Sequence, residues 1–306
     1  MARKQRKEIT FPPAGSKRAG GGERSGLIVV ATPIGNLADI TLRALEALRE
    51  VNLILCEDSR VTAKLARAHG ITTPFFAYHE HNADRVRPAL IERLKHGESM
   101  ALVSDAGTPL VSDPGYKLVR ACHVAGIPVT VAPGPSAVLG ALVVAGLPTD
   151  RFFFAGFLPP KRAGRRAALA GLAAVPGTLV FFESPRRLGE SLADMADVLG
   201  DRPAAVVREL TKLFEEVRRG GLAELAAGYG AAEPPKGEIV VVVGGRDAAA
   251  EAPAADTLDR HLEAALKRLS VRDATAEVAA ALGVPRRQVY ERALALSGRG
   301  KANEDG

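Results

Sequence analysis

The stretch GLIVVATPIGNLADIT, Gly26 to Thr41, decides the fold. Leu27–Ala31 is a short, unbroken apolar run, which suits a strand buried on both faces. Thr32 to Thr41 then supplies the Pro, Gly, Asn and Asp of a loop that leads into a helix. Similar runs recur at Leu53–Cys56, Ala101–Val103 and Val129–Ala132. Between them lie segments with helical spacing, at 39–50, 60–69, 84–96 and 115–125. This alternation predicts parallel βαβ units. A second series begins near Arg151, with Phe152–Phe154, Leu179–Phe182, Ala204–Val207 and Ile239–Val243 again interleaved with helical stretches. The expected fold class is α/β: two α/β domains, 26–134 and 135–246, joined near Pro133–Leu147 with a cofactor cleft between them.

Beyond them, Asp247–Pro253 reads DAAAEAP, the start of a polar, Ala-rich linker over 247–255. Amphipathic helices are expected at 257–269, 273–282 and 286–296, giving a small helical domain over 256–299 and a tail at 300–306. Gly283 ends one helix and Pro285 precedes the next, whose exposed first turn carries Arg286, Arg287 and Gln288: a helix-turn-helix character. A DNA-binding regulator is one reading of that unit and a plain packing unit is another. Nine Lys/Arg balance nine Asp/Glu from 251 to 306, so the basic face of a DNA reader is not evident.

The net charge of +6 is concentrated at the start of the chain. Residues 1–25 carry Arg3, Lys4, Arg6, Lys7, Lys17, Arg18 and Arg24 against Glu8 and Glu23, a net of +5. With Pro12-Pro13 and Gly20-Gly21-Gly22 this segment reads as a disordered basic tail. The rest is close to neutral, and overall charge alone does not establish nucleic-acid binding. No apolar run approaches the roughly 20 residues of a membrane span, and the basic N-terminus has no apolar core of a secretory signal. Cys56 and Cys122 lie far apart in apolar contexts and read as buried thiols of a reducing compartment. A soluble cytoplasmic protein is expected.

Chemistry in parallel α/β domains gathers at the carboxyl ends of strands. Four such ends here are rich in Gly, Pro and small polar residues: Thr32–Thr41, Glu57–Thr62, Ser104–Gly115 and Pro133–Ala137. One loop of this kind is an ordinary turn; four together point to a site built from backbone. No G-x-G-x-x-G follows the first strand and no G-x-x-x-x-G-K-[ST] occurs, which argues against dinucleotide and P-loop sites. Such loops suit a neutral or cationic small molecule held by carbonyls and an occasional carboxylate.

The strings VATPIGNLADIT, CEDSRVTAKL, SDAGTPLVSDPG, APGPSA, GFLPPKR, FFESPRR, VVRELTKLFEEVRRG and KGEIVVVVGG stand in order from about Leu27 to Gly245. Together they resemble the ribosomal RNA small subunit methyltransferase I family, of the tetrapyrrole methylase superfamily. The C-terminal helices also resemble that family's. The resemblance implies two α/β domains of tetrapyrrole-methylase type, with S-adenosylmethionine in the cleft as methyl donor, and a homodimer. It further implies 2′-O-methylation of a decoding-centre cytidine of 16S rRNA, with the rRNA, in the small ribosomal subunit, as partner. A methyltransferase acting on a tetrapyrrole is the alternative.

By analogy with the superfamily, Asp105, Ala106, Gly107 and Thr108 lie against the cofactor, and Pro33 closes the first loop. Ser136 and Ala137 sit near its methionine end; Phe182, Glu183, Leu210, Gly237, Glu238 and Ile239 enclose adenosine. Methyl transfer to a hydroxyl needs positioning and a group that favours the oxyanion. The charged residues near strand ends are Glu57, Asp58, Arg60, Lys64, Glu183, Arg186, Glu209, Lys212 and Glu215; of these Glu57, Arg60 and Lys212 are taken as catalytic. Lys161, Arg162, Arg186 and Arg187, with the neighbouring Arg165-Arg166, suit RNA phosphates, though each could equally be a structural ion pair. His79-Glu80-His81 lacks a third metal ligand, and no metal is expected.

Overall fold

The computed structural model describes residues 11–12, 25–111, 115–246, 255–282, 284 and 286–302. Contacts divide the chain into two compact units, 1–244 and 245–306.

The first half of the larger unit is a five-stranded sheet in the order β3-β2-β4-β1-β5, parallel throughout. Its strands are β1 (Gly26–Val30), β2 (Leu53–Cys56), β3 (Phe75–Ala77), β4 (Ser99–Val103) and β5 (Val129–Ala132). Successive residues of a strand point to opposite faces, and here both faces are covered. Ile28, Val30, Ile54 and Ala101 pack against α1 (Leu42–Glu50) and α2 (Ser59–His69) through Ala44, Leu48 and Leu65. Leu27, Leu53, Leu55, Met100 and Leu102 pack against α3 (Glu80–Lys95) and α4 (Tyr116–Val124) through Val86, Leu90, Leu118 and Cys122. The first two crossover helices cover one face and the next two the other, so the winding reverses beside β1 and a crevice opens at the strands' carboxyl ends.

The second half holds β6 (Phe152–Phe157), β7 (Thr178–Glu183), β8 (Pro203–Arg208), β9 (Glu216–Gly221) and β10 (Ile239–Val243), in the order β6-β7-β10-β8-β9. The parallel expectation fails here. Only β6 and β7 are parallel neighbours among the described strands; β10 inserts antiparallel between β7 and β8, and β9 pairs antiparallel with β8. A central strand buried on both faces shows the same apolar run in either direction, so Ile239–Val243 did not reveal its sense.

The segment expected to be the joint contains α5 (Ala137–Ala145). Val138, Ala141, Leu142 and Ala145 cover one face of the second sheet, over Val180, Ala205, Val207, Val240 and Val242. The other face carries α6 (Arg162–Leu172), α7 (Leu188–Leu199) and α8 (Leu222–Ala231), with Leu169, Leu192 and Leu225 in its core.

In the smaller unit α9 (Ala255–Leu266), α10 (Val271–Leu282) and α11 (Arg286–Ala302) close on Leu258, Leu262, Ala274, Val278, Val289 and Ala293. Most of the basic 1–25 segment and of the 247–255 linker lies outside the described residues, as do Gly283 and Pro285. Phe11 is described: its ring lies 4.5 Å from that of Phe76, with the Arg93 guanidinium 5.1 Å from its centre.

Candidate active site

The loops after β1, β4 and β5 are laced by backbone. The Thr32 N–H donates to the Gly107 carbonyl at 2.9 Å and the Gly107 N–H to the Thr32 carbonyl at 3.0 Å. Thr32 Oγ1 donates to the Ser104 carbonyl, and Ser104 Oγ to the carbonyls of Ala106 and Gly107, each at 3.2 Å. Thr108 Oγ1 donates to the Pro135 carbonyl at 3.2 Å. Asp105 adds the loop after β2, its carboxylate accepting from the Asp58 N–H at 3.0 Å. Gly107 has φ +79°, which favours glycine, and a Cβ there would lie 3.3 Å from Ile34 Cγ2.

A cavity of about 370 Å³ opens beside these loops, a size usual for small-molecule sites. From the first half Ala106, Gly107 and Thr108 line it; Ser136 and Ala137 bring the N-terminus of α5. Glu183, Leu210, Gly237 and Glu238 line it from the second half. The floor is a row that crosses three strands, Phe182 on β7, Val240 on β10 and Val207 on β8, in register. Phe157 meets Phe182 edge to face at 5.5 Å. The sequence reading missed Val207 and Val240, because the row exists only once β10 is known to lie between β7 and β8. No Lys, Arg or His lines this cavity among the described residues.

Glu183 is fully buried and saturated. Its carboxylate accepts from Ser191 Oγ at 2.6 Å and the Ser184 N–H at 2.7 Å, and pairs with the Arg187 guanidinium at 2.7 Å.

A second cavity of about 430 Å³ adjoins the first, sharing Ile34, Ala106 and Glu238 with it. Pro33, Asp105, Thr32, Lys64 and Lys212 line it. Lys212 Nζ is held between Glu209 Oε1 at 2.8 Å and Glu238 Oε2 at 3.0 Å. Its stem crosses Gly35, where a Cβ would lie 2.4 Å from Lys212 Cγ. Burial works against the ammonium, but the hydrogen bonds and charges of Glu209 and Glu238 outweigh it and raise the Lys212 pKa. The Lys212 contact in turn lowers the pKa of Glu209, against some desolvation.

Of the catalytic candidates, Lys212 thus lines a cavity, whereas Glu57 and Arg60 line neither. Arg60 folds back on Asp58 at 2.6 Å, and this contact holds the Asp58 pKa at about 2. Glu57 is half-buried; burial and the nearby Asp105 raise its pKa, with His79 opposing. The four cations assigned to RNA divide in the same way. Arg187 is bound to Glu183, and Arg162 pairs at 3.1 Å with Asp194, a side chain only 2% exposed that also holds Arg165 and Arg166. Buried carboxylates require such partners, so these guanidiniums have structural work. Lys161 and Arg186 are exposed and form no ion pair among the described residues. No group of three His, Cys, Asp or Glu side chains among the described residues is arranged to hold a metal. Among them, too, no helix is long and apolar enough to cross a membrane.

Comparison with known proteins places these features in a family. Residues 26–226 match the family "Tetrapyrrole (Corrin/Porphyrin) Methylases", and residues 247–297 match "RsmI C-terminal HTH domain". The chain is 54% identical to the ribosomal RNA small subunit methyltransferase I of Mesorhizobium japonicum, over 88% of this chain and 92% of that one. It is 48% identical to the protein of that name from Pseudomonas aeruginosa, over 89% and 98%. The fold is similar to that of uroporphyrin-III C-methyltransferase from Thermus thermophilus, solved with S-adenyl homocysteine: TM-score 0.50, 22% identity, 72% of this chain and 97% of that one.

Proposed function

Because the chain belongs to the ribosomal RNA small subunit methyltransferase I family, we propose that it methylates the ribose 2′-oxygen of a decoding-centre cytidine in 16S rRNA, with S-adenosylmethionine as donor. The observation that carries this reading is the pair of adjoining cavities. The first fits the donor. Its N-terminal end of α5 offers unpaired N–H groups to a carboxylate. The Phe182–Val240–Val207 row offers an apolar floor to a base, and a lining with no Lys, Arg or His among the described residues suits a sulfonium. When bound, the donor supplies an electrophilic methyl carbon.

The second cavity is assigned to the acceptor nucleotide. Lys212 is the catalytic residue carried forward. With a raised pKa it stays an ammonium at neutral pH, so it would donate a hydrogen bond to the acceptor oxygen and favour its oxyanion as that oxygen bonds to the methyl carbon and the methyl–sulfur bond breaks, leaving S-adenosylhomocysteine; the hydroxyl proton passes to water, not to Lys212. Glu209 and Glu238 hold it in place, which is the preorganisation such stabilisation needs. Ile34 and Ala106, shared by the two cavities, form the boundary at which donor and acceptor meet. Lys161 and Arg186 are available for phosphates, a positioning contact without base readout. Family membership favours RNA over the tetrapyrrole and DNA readings. We also infer a cytoplasmic homodimer; Val143 on α5 and Phe152 and Phe153 on the edge strand β6 are exposed apolar surface that a second copy would cover.

The test is methyl transfer from labelled donor to small subunits, naked 16S rRNA, DNA and a porphyrinogen. Label should enter ribose in the rRNA, and Lys212→Met should lower kcat by about 10- to 1,000-fold. Label in the porphyrinogen alone would sink the reading.

A further inference from the structure

The loop between β8 and β9, Glu209 to Glu215, is rigid at its base and apolar at its tip. Glu209 and Thr211 hold φ of +50° and +65° without being glycine, a strained backbone that persists only where surroundings enforce it. Those surroundings are evident. The Glu209 N–H donates to the Glu238 carbonyl at 2.9 Å, the Lys212 N–H to the Glu209 carbonyl at 2.9 Å, and the Glu215 N–H to the Lys212 carbonyl at 3.1 Å. Glu215 reaches back to accept from the Thr211 N–H at 2.7 Å. Leu210 is pressed against α5, where a Cβ at Gly140 would lie 2.7 Å from it. Between these anchored residues Leu213 is 90% exposed and Phe214 68% exposed.

A loop held this firmly does not expose Leu and Phe for want of a conformation. Its root, Lys212, lines the second cavity, and Lys64 on the same cavity is exposed with no ion pair among the described residues. We propose that Phe214 is a stacking platform for an unpaired nucleobase adjacent to the methylated nucleotide, with Leu213 at its edge. This rests on the assignment of the second cavity to an RNA acceptor. Sequence-specific RNA recognition targets splayed bases stacked on aromatic rings, and one exposed Phe two residues from Lys212, which lines the acceptor cavity, suits one base next to the acceptor nucleotide. The tip is too small for a protein partner on its own, since a stable interface buries about 800 Å² per side. Phe214 therefore positions the RNA and Lys212, two residues away, meets the reacting oxygen.

The chain has no Trp, so Phe214→Trp makes the platform its sole indole reporter. Saturating rRNA should quench its emission, and this variant should keep KM for small subunits within about twofold of wild type. Phe214→Ala and Phe214→Leu should both raise that KM by roughly 5- to 150-fold, the loss typical of one stacked base, while binding S-adenosylhomocysteine and sedimenting as the wild type does. Full affinity in Phe214→Leu, unquenched Phe214→Trp, or a changed oligomeric state in Phe214→Ala would overturn the proposal; the last would make the tip a contact with a second copy. A wild type that methylates rRNA beside an unaffected Phe214→Ala overturns this inference alone, whereas a wild type inactive on rRNA overturns the functional reading as well.

Discussion

Replacing Gly237 with Ala tests how Lys212 is held. Gly237 has φ +103°, and a Cβ there would lie 2.3 Å from Glu209 Cδ. Two separate costs follow. The backbone conformation costs a non-glycine residue about 1–3 kcal/mol. Displacing the Glu209 carboxylate, which also accepts from the Glu238 N–H at 2.9 Å, is an overpacking cost of about 1–3 kcal/mol. In a Glu209→Ala background the second cost disappears and the first remains. Urea unfolding of the four proteins of this cycle should therefore give a coupling of at least about 1 kcal/mol between the two sites. By calorimetry Gly237→Ala alone should lower Tm by several degrees, at roughly 2–4 °C per kcal/mol for a unit of this size. Methyl transfer should fall in step, because Lys212 loses one of its two carboxylate partners. If the two substitutions add to within about 0.5 kcal/mol, steric conflict with Glu209 is not the reason for glycine, and this account of the Lys212 clamp is wrong.

Gly107→Val, at φ +79° and against Ile34, should weaken S-adenosylmethionine binding at least about tenfold, a loss of roughly 1.4 kcal/mol; unchanged calorimetric affinity in a folded variant would remove the loop from the cofactor site. Glu57, whose pKa is raised by burial and by Asp105, is less stable as a carboxylate in the folded chain than in the unfolded one. Stability falls as pH rises through the unfolded pKa, about 4.3, and towards the raised folded value, so Glu57→Gln should raise Tm at pH 7 and give no gain below about pH 4. Equal gains at both pH values would contradict the charge origin. Lys161→Gln and Arg186→Gln should each reduce the log–log salt slope of RNA binding by about 0.7–0.9, with stability unchanged. Arg162→Gln and Arg187→Gln, which strip partners from Asp194 and Glu183, should instead lower Tm; the reverse pattern would exchange their roles.

Strands were legible where both faces are buried, as in Leu27–Val30 and Leu53–Cys56, because a run of four or five apolar residues closed by turn-forming residues is too short for a helix. Phe75–Ala77 escaped notice: a three-residue edge strand carries too little pattern. Helix α5 was read as a joint because AVLGALVVA is apolar all round and has no amphipathic period. The residues matched to superfamily motifs gather around the two cavities, since strand-end loops announce themselves by Gly and Pro. What needed the structure was pairing across the second sheet. Val207 and Val240 become a floor, and Gly237 a neighbour of Glu209, only through the antiparallel insertion of β10. Charge was the weakest guide. Arg162, Arg165 and Arg187 look like phosphate ligands in sequence, and burial of Asp194 and Glu183 gives them structural partners instead.

The most direct measurement is a ribose-methylation map of 16S rRNA from cells with the gene, without it, and without it but complemented by wild type or Lys212→Met. A single 2′-O-methyl group, on a decoding-centre cytidine, should be lost with the gene, restored by the wild type and restored weakly or not at all by Lys212→Met. An identical methylation map in all four strains would contradict it.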